Sequence, residues 1–233
     1  MQNNDNIHKG HRQRMRREMI EQDSLDQMSE HRLLEVLLFY GIPRRDTNPI
    51  AHELLKKFGT LTAVFEAEIE ELKSVKGMTE NAATLIKTIM PLARRYQDDK
   101  FKAGSVFENI DELGSFLMRK YIGRKNEAFA ITCLDTKGKL LGFDILAEGT
   151  PDTVEVSLRD VAAVVIKRNA SVAIVSHNHV ATSAVPSDRD IEMTIKLKET
   201  IETLGTTLLD HIVISGDDYV SMRKSGKYRA IFK

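Results

Sequence analysis

Four uninterrupted apolar residues, Val172-Ala173-Ile174-Val175, constrain the fold of this chain more than any other feature. A strand with one wet face alternates apolar and polar residues. An unbroken run of this length is instead predicted to be buried on both faces, inside a sheet covered by helices. The run passes directly into Ser176-His177-Asn178-His179. On its N-terminal side, Ala128 to Leu134 reads as a strand, Asp135-Thr136-Lys137-Gly138 as a hairpin turn, and Leu140 to Ala147 as the returning strand. Ser157 to Asn169 is predicted to be a helix with Val161, Val164 and Val165 on its buried side. After the run, a helix is expected from Ser187 or Asp188 through Leu204-Gly205. A final strand pair follows, Leu208 to Ser215 and Tyr219 to Met222, around Gly216-Asp217-Asp218. Strands and helices that alternate in this way predict an α/β domain with a mixed sheet.

The first part of the chain has a different period. Leu33, Leu34, Val36, Leu37 and Leu38 form an apolar helical face that Gly41-Ile42-Pro43 should end. A second helix is expected from Pro49 to Phe58, with proline in its first turn and Gly59 at its end. A third short helix runs from Ala63 to Glu66 and into Glu68–Val75. A last one follows Gly77 to about Tyr96, where Pro91 should kink or divide it. The Gly77 segment resembles a helix-hairpin-helix, which aims backbone N–H groups at a phosphate. Thr79, however, stands where such hairpins carry a second glycine, and a β-branched residue resists a left-handed backbone there. Its hydroxyl is better suited to capping the next helix. The polar stretch 97–105 marks the boundary, giving an all-helical domain over 1–98 and an α/β domain over 104–233.

Charge sets limits on partners. Lysine plus arginine equals aspartate plus glutamate at 34 each, so net charge favours no polyanionic partner. The exception is local: Lys9, Arg12, Arg14, Arg16 and Arg17, with His8 and His11, form a basic arm that could hold DNA through phosphate contacts or simply present a solvated helix face. No stretch approaches the roughly 18 apolar residues of a membrane span, and the basic N-terminus lacks the apolar run of a secretory signal, so no membrane partner is expected. The single cysteine, Cys133, fits a reducing cytoplasm and the role of a small buried hydrophobe.

The chemistry-bearing residues lie at the end of the buried strand. His177 and His179 are two apart, so an extended backbone turns both imidazoles to one side. Asp190 follows in the first turn of the next predicted helix. Two imidazoles and one carboxylate leave a catalytic zinc a position for water, whose pKa the metal lowers. An isolated H-x-H has a bland alternative as hydrogen-bonded surface histidines. Ser187-x-x-Asp190 at a helix start after a buried strand argues against it.

H-x-H, seven residues, then S-x-x-D is the pattern of JAMM (MPN-plus) metalloproteins, and His177-Asn178-His179 with Ser187-Asp188-Arg189-Asp190 meets it without a gap. The surrounding sequence resembles the RadC family through Gly10-His11-Arg12, Leu33–Leu38, Phe58-Gly59, Glu127-Ala128-Phe129, Leu134–Lys137, Pro186-Ser187, Leu209–Ile214 and Tyr219–Met222, in family order. That resemblance implies a C-terminal JAMM/MPN domain of cytidine-deaminase-like fold and zinc as cofactor. It implies His177, His179 and Asp190 as metal ligands, Glu127 as general acid/base and Ser187 as a hydrogen-bond donor to the reacting oxygen. Plain alternatives are a solvated strand-end carboxylate for Glu127 and a helix N-cap for Ser187. Asp144 and Glu148 are rival carboxylates, and Asn178 should face away to bond backbone; Asp210 with His211 reads as a satisfied polar pair, the alternative being an acceptor for a ligating imidazole. The family usually continues His-Asn-His-Pro-Ser-Gly-Asp, where this chain has Val180-Ala181-Thr182-Ser183 after His179. The implied activity is zinc-dependent hydrolysis of a peptide or isopeptide bond in a protein or peptide substrate. The alternatives are a DNA-repair protein acting through the basic arm and hairpin, and an interaction module without catalysis.

Overall fold

The computed structural model describes residues 5–21, 24–100, 104–150, 156–180 and 183–233. Residues 101–103 of the expected boundary stretch 97–105 and the Ala181-Thr182 part of the loop after His179 lie outside them. The chain divides into two compact units, Met1–Ala93 and Arg94–Lys233.

Among the described residues the first unit is wholly helical: α1 (Asp5–Glu21), α2 (Glu30–Gly41), α3 (Asn48–Phe58), α4 (Leu61–Glu66), α5 (Ile69–Lys73) and the start of α6 (Glu80–Lys100). Its core gathers Leu34, Leu38, Ile50, Leu54, Leu72 and Ile86, all at most 5% exposed. The basic arm forms a helix, α1. Arg12 donates to the Phe39 and Ile42 carbonyls at 3.3 and 2.7 Å, and also to the Arg45 carbonyl. A cation set against the C-terminal carbonyls of α2 satisfies acceptors that the helix itself leaves open. His11 Nε2 lies 2.8 Å from the buried Glu35 carboxylate, which also accepts from Asn48.

Gly77 adopts φ +96°, and Thr79 closes the turn that follows it. The Thr79 hydroxyl accepts from Ala82 N at 3.1 Å, capping α6, and donates to Gly41 O at 2.9 Å. That bond joins α2 to α6 at a close approach: a Cβ on Gly41 would stand 2.5 Å from the Ala82 Cα. Backbone cannot yield as a side-chain tip can. Gly41→Ala should therefore destabilise the protein by about 1–3 kcal/mol, the usual cost of overpacking. Urea unfolding monitored by circular dichroism will measure it, and an unchanged midpoint would refute the packing account. Pro91 does not divide the last helix. The helix α6 runs through it.

The second unit is a sheet with helices on both faces. Its elements are α7 (Ile110–Tyr121), β1 (Glu127–Leu134), β2 (Leu140–Gly149), α8 (Leu158–Arg168), β3 (Val172–Asn178), α9 (Asp188–Thr203), β4 (Thr207–Ser215) and β5 (Asp218–Ser221), then a 3-10 turn at Arg229–Phe232. The order across the sheet is β2-β1-β3-β4-β5. Only β3 and β4 are parallel, joined by the crossover helix α9, and the remaining pairs are antiparallel. The apolar run Val172–Val175 thus sits in the central strand β3. Ile174 faces a core shared with Leu113, Phe116 and Leu117 of α7. Ala173 and Val175 face the other core, with Val161 and Val165 of α8 and Leu197 and Ile201 of α9. The sequence pattern did not single out α7. Its Gly114 lies against the Tyr219 ring, and Asp111 accepts from Tyr219 Oη at 2.8 Å and from Lys224 Nζ at 2.7 Å. These contacts to β5 and to the chain just beyond it are tertiary.

Cys133 is fully buried in β1, and that burial, with the Asp144 charge as a smaller cause, pushes its thiol up to about 12. Only the thiolate reacts, so the native protein should resist a disulfide reagent at pH 8 and label fully once unfolded. Stoichiometric labelling of the native form within minutes would contradict the burial.

Candidate metal centre

The parallel strand β3 ends at Asn178, beside the start of the antiparallel β1 and opposite the N-terminus of α9. His177 is the penultimate residue of β3, and His179 follows immediately, its N–H still bonded to Ile214 O of β4 at 2.8 Å. Both imidazoles reach the first turn of α9. His177 Nε2 lies 3.1 Å from Asp190 Oδ1 and 3.0 Å from His179 Nε2, and His179 Nε2 lies 3.6 Å from Asp190 Oδ2. The three side chains are 8, 12 and 17% exposed, enclosed but open to solvent on one side. His177 is further held by Phe129, whose ring stacks near-parallel to it at 6.4 Å.

The donor set suits a metal ion. Two ligand atoms on a tetrahedral zinc at about 2.0–2.1 Å stand about 3.3 Å apart; His177 Nε2 and His179 Nε2 are 3.0 Å apart, and the Asp190 carboxylate reaches both rings through different oxygens, Oδ1 toward His177 and Oδ2 toward His179. His179 Nδ1 is 2.8 Å from the Ser183 carbonyl, which can only accept. The ring proton therefore sits on Nδ1, leaving the Nε2 lone pair directed at its neighbours. A cation answers lone pairs and a carboxylate that converge in this way. Among the described residues, His177, His179 and Asp190 form the group whose ligand atoms all lie within 4.8 Å of one another.

Local electrostatics point the same way. Burial alone would raise the Asp190 carboxyl, but its close contacts with the His177 and His179 rings overcome that and hold the group far below the usual carboxylate range. The His179 imidazole is raised, chiefly by its contact with the Asp190 carboxylate, with a smaller contribution from the Glu127 charge.

Glu127 opens β1 on the same pleat face as Phe129, which pairs with His177. Its backbone is bracketed by Asn178, whose Oδ1 accepts from Ala128 N at 2.8 Å and whose Nδ2 donates to Asn126 O at 3.1 Å. Asn178 thus faces away from the two histidines and bonds backbone. The rival carboxylates are engaged elsewhere: Asp144 takes both Nε and NH2 of Arg168 at 3.0 and 2.7 Å, and Glu148 pairs with Arg124 at 3.2 Å. Ser187 caps α9. Its hydroxyl accepts from Asp190 N at 3.2 Å and donates to Asp190 Oδ2 at 2.7 Å, while Asp190 accepts from Ser187 N at 2.7 Å. The same reciprocal cap therefore aims the Asp190 carboxylate.

Asp210 and His211 do not form a pair with each other's side chains. The Asp210 carboxylate accepts from Ser221 Oγ and from the Arg223 and His211 N–H groups. The His211 ring instead lies at the centre: its Nε2 is 2.8 Å from His177 Nδ1 and its Nδ1 2.6 Å from Thr194 Oγ1. A histidine within the apolar strand Leu208–Ile214 was the available signal, but its partner depends on the β3–β4 register.

Comparison with known proteins agrees with this architecture. A RadC-like JAB domain matches residues 107–227, and a UPF0758 N-terminal domain matches residues 7–84. A UPF0758 protein of Fusobacterium nucleatum subsp. nucleatum is 33% identical over 224 residues, covering 93% of this chain and 96% of its own. One from Ruegeria pomeroyi is 35% identical over 216 residues, again covering 93% and 96%, and one from Shewanella loihica is 31% identical over 210 residues, covering 90% and 93%. With a domain match over half its length and relatives this similar along nearly all of it, the chain belongs to the RadC-like JAB-domain family, in its UPF0758 form.

Proposed function

We propose that the protein is a zinc-dependent amide hydrolase acting on a peptide or isopeptide bond. The observation that carries this reading is the convergence of His177, His179 and Asp190, with ligand atoms within 4.8 Å of one another, at the open end of a buried strand. These three residues would hold the ion. Zinc, when bound, supplies Lewis acidity toward water and the scissile carbonyl. Glu127 takes the proton of the attacking water and delivers it to the leaving amine, a role open to a carboxylate that is near the ligands and outside them. Asn178, by gripping the backbone on both sides of Glu127, limits where that carboxylate can travel. The Ser187 hydroxyl serves the developing oxyanion by turning from Asp190 toward it, while its oxygen keeps the helix cap.

The test is amide hydrolysis by the full-length chain against a mixed fluorogenic peptide and isopeptide panel. Activity should vanish on chelation and return with added zinc. Activity indifferent to the chelator, or full zinc occupancy with no cleavage anywhere in the panel, would argue against the reading. Protons compete with zinc for His179, whose imidazole is raised by Asp190. Zinc affinity should therefore fall as pH decreases, the decline starting above the ordinary imidazole value of about 6.5. Chelator competition between about pH 5 and 8 measures this, and a flat profile would exclude imidazole ligation.

The basic arm contributes less to a DNA-binding reading than its composition suggests. Arg12 and His11 are engaged within the helical unit, and Arg16 lies over the Tyr40 ring at 5.5 Å.

A further inference from the structure

The geometry points to a three-residue relay, His177–His211–Thr194, that sets which nitrogen of His177 carries its proton and so prepares that ring for the metal. The inference rests on the metal-site reading above and adds two positioning residues, His211 and Thr194.

The direction of the relay follows from one atom that cannot donate. Thr194 lies in α9, one turn after Asp190, and its Oγ1 is 2.5 Å from the Asp190 carbonyl oxygen. A carbonyl only accepts, so the single hydroxyl proton points there. Met222 Sδ, 3.6 Å from the same hydroxyl, is likewise only an acceptor. Thr194 Oγ1 can then offer only a lone pair to His211 Nδ1 at 2.6 Å, which places the His211 proton on Nδ1. His211 Nε2 is left as an acceptor, and it lies 2.8 Å from His177 Nδ1. His177 therefore carries its proton on Nδ1 and presents a bare Nε2 toward His179 and Asp190. The opposite polarity would put an N–H where the ion must bind and would leave two oxygen lone pairs facing each other at 2.5 Å.

The circuit closes on the residue where it starts. Asp190 supplies the carbonyl that polarises the chain and, 3.1 Å from His177 Nε2, the carboxylate at its far end. Ligating imidazoles ordinarily donate to a carboxylate, a backbone carbonyl or water. Here the acceptor is a second imidazole, fully buried together with Thr194.

The experiment uses the full-length chain labelled with 15N-histidine. In metal-free wild type at mildly alkaline pH, the nitrogen shifts of His177 and His211 should both report the Nδ1–H tautomer. Thr194→Val removes the hydroxyl at nearly constant volume. It should give His177 a mixed tautomer and weaken zinc binding by about 10–100-fold in chelator competition. Thr194→Ser should restore both. An Nε2–H tautomer for His177 in the wild type would overturn the relay. So would a Thr194→Val protein with unchanged tautomer and zinc affinity. The wild-type measurement needs neither a substitution nor a metal. If the wild type bound no zinc while His177 showed Nδ1–H, the hydrolase reading would fall and the relay would stand.

Discussion

His177→Ala and Asp190→Ala are each expected to abolish stoichiometric zinc in protein purified without chelators. Three protein donors converge on one point, and removing any one leaves a two-coordinate site. The loss should exceed the roughly 10–100-fold that removing an outer hydrogen-bond partner costs. The two variants should differ in stability. Asp190 also accepts from Ser187 N in the cap of α9, so its truncation forfeits up to about 1 kcal/mol of helix capping as well. Asp190→Asn keeps an oxygen to accept from Ser187 N and removes only the charge. It should retain the stability and still bind zinc poorly. Elemental analysis with thermal unfolding separates the two effects, and full zinc occupancy in either alanine variant would dismantle the proposed site.

Glu127→Gln should keep its zinc and lose its chemistry. The carboxylate lies near enough to raise His179 yet outside the group of converging ligand atoms. The amide is nearly isosteric but accepts no proton at neutral pH. Loss of a positioned general base typically costs 10²- to 10⁴-fold, about 3–5 kcal/mol of barrier. The fall should be in kcat with little change in KM, since the group acts on the reacting proton more than on substrate binding. A variant that released zinc would make Glu127 a ligand, and one with undiminished turnover would transfer its role to another group. Asp144 and Glu148 are poor candidates for that transfer, because neutralising either would leave Arg168 or Arg124 without its carboxylate.

Much of this architecture follows from local pattern. A central strand with both faces buried is written in Val172–Val175, because continuous apolar sequence admits no wet face. The helix starts at Ser157 and Ser187 are written in residues whose side chains cap the first turn, as both do. The spacing of His177 and His179 places both rings on one side for the same reason that strands pleat. Capping chemistry likewise made Thr79 legible as the residue that closes the Gly77 turn.

Other features have no local cause. The helix α7 was not drawn from the sequence; it is held by an apolar face against one side of the sheet and by Asp111 and Gly114 against Tyr219, about a hundred residues away in sequence. Pro91 fails to divide α6, although its ring removes a donor from that turn. The exposed appearance of the arm concealed Arg12, whose guanidinium finds the C-terminal carbonyls of α2 only once the helices have packed. His211 is the clearest case. Along the chain it is a polar residue in an apolar strand, and its neighbour Asp210 looks like its partner. Parallel pairing of β3 and β4 sets Val175 opposite His211 and carries the imidazole beneath His177, while the crossover helix brings Thr194 to its other nitrogen. The sequence alone thus determined which residues stand at the end of the buried strand and at the start of the next helix, where His177, His179 and Asp190 converge. Tertiary structure decided which protons point where, because hydrogen-bond direction depends on partners that only strand register and helix packing bring within reach.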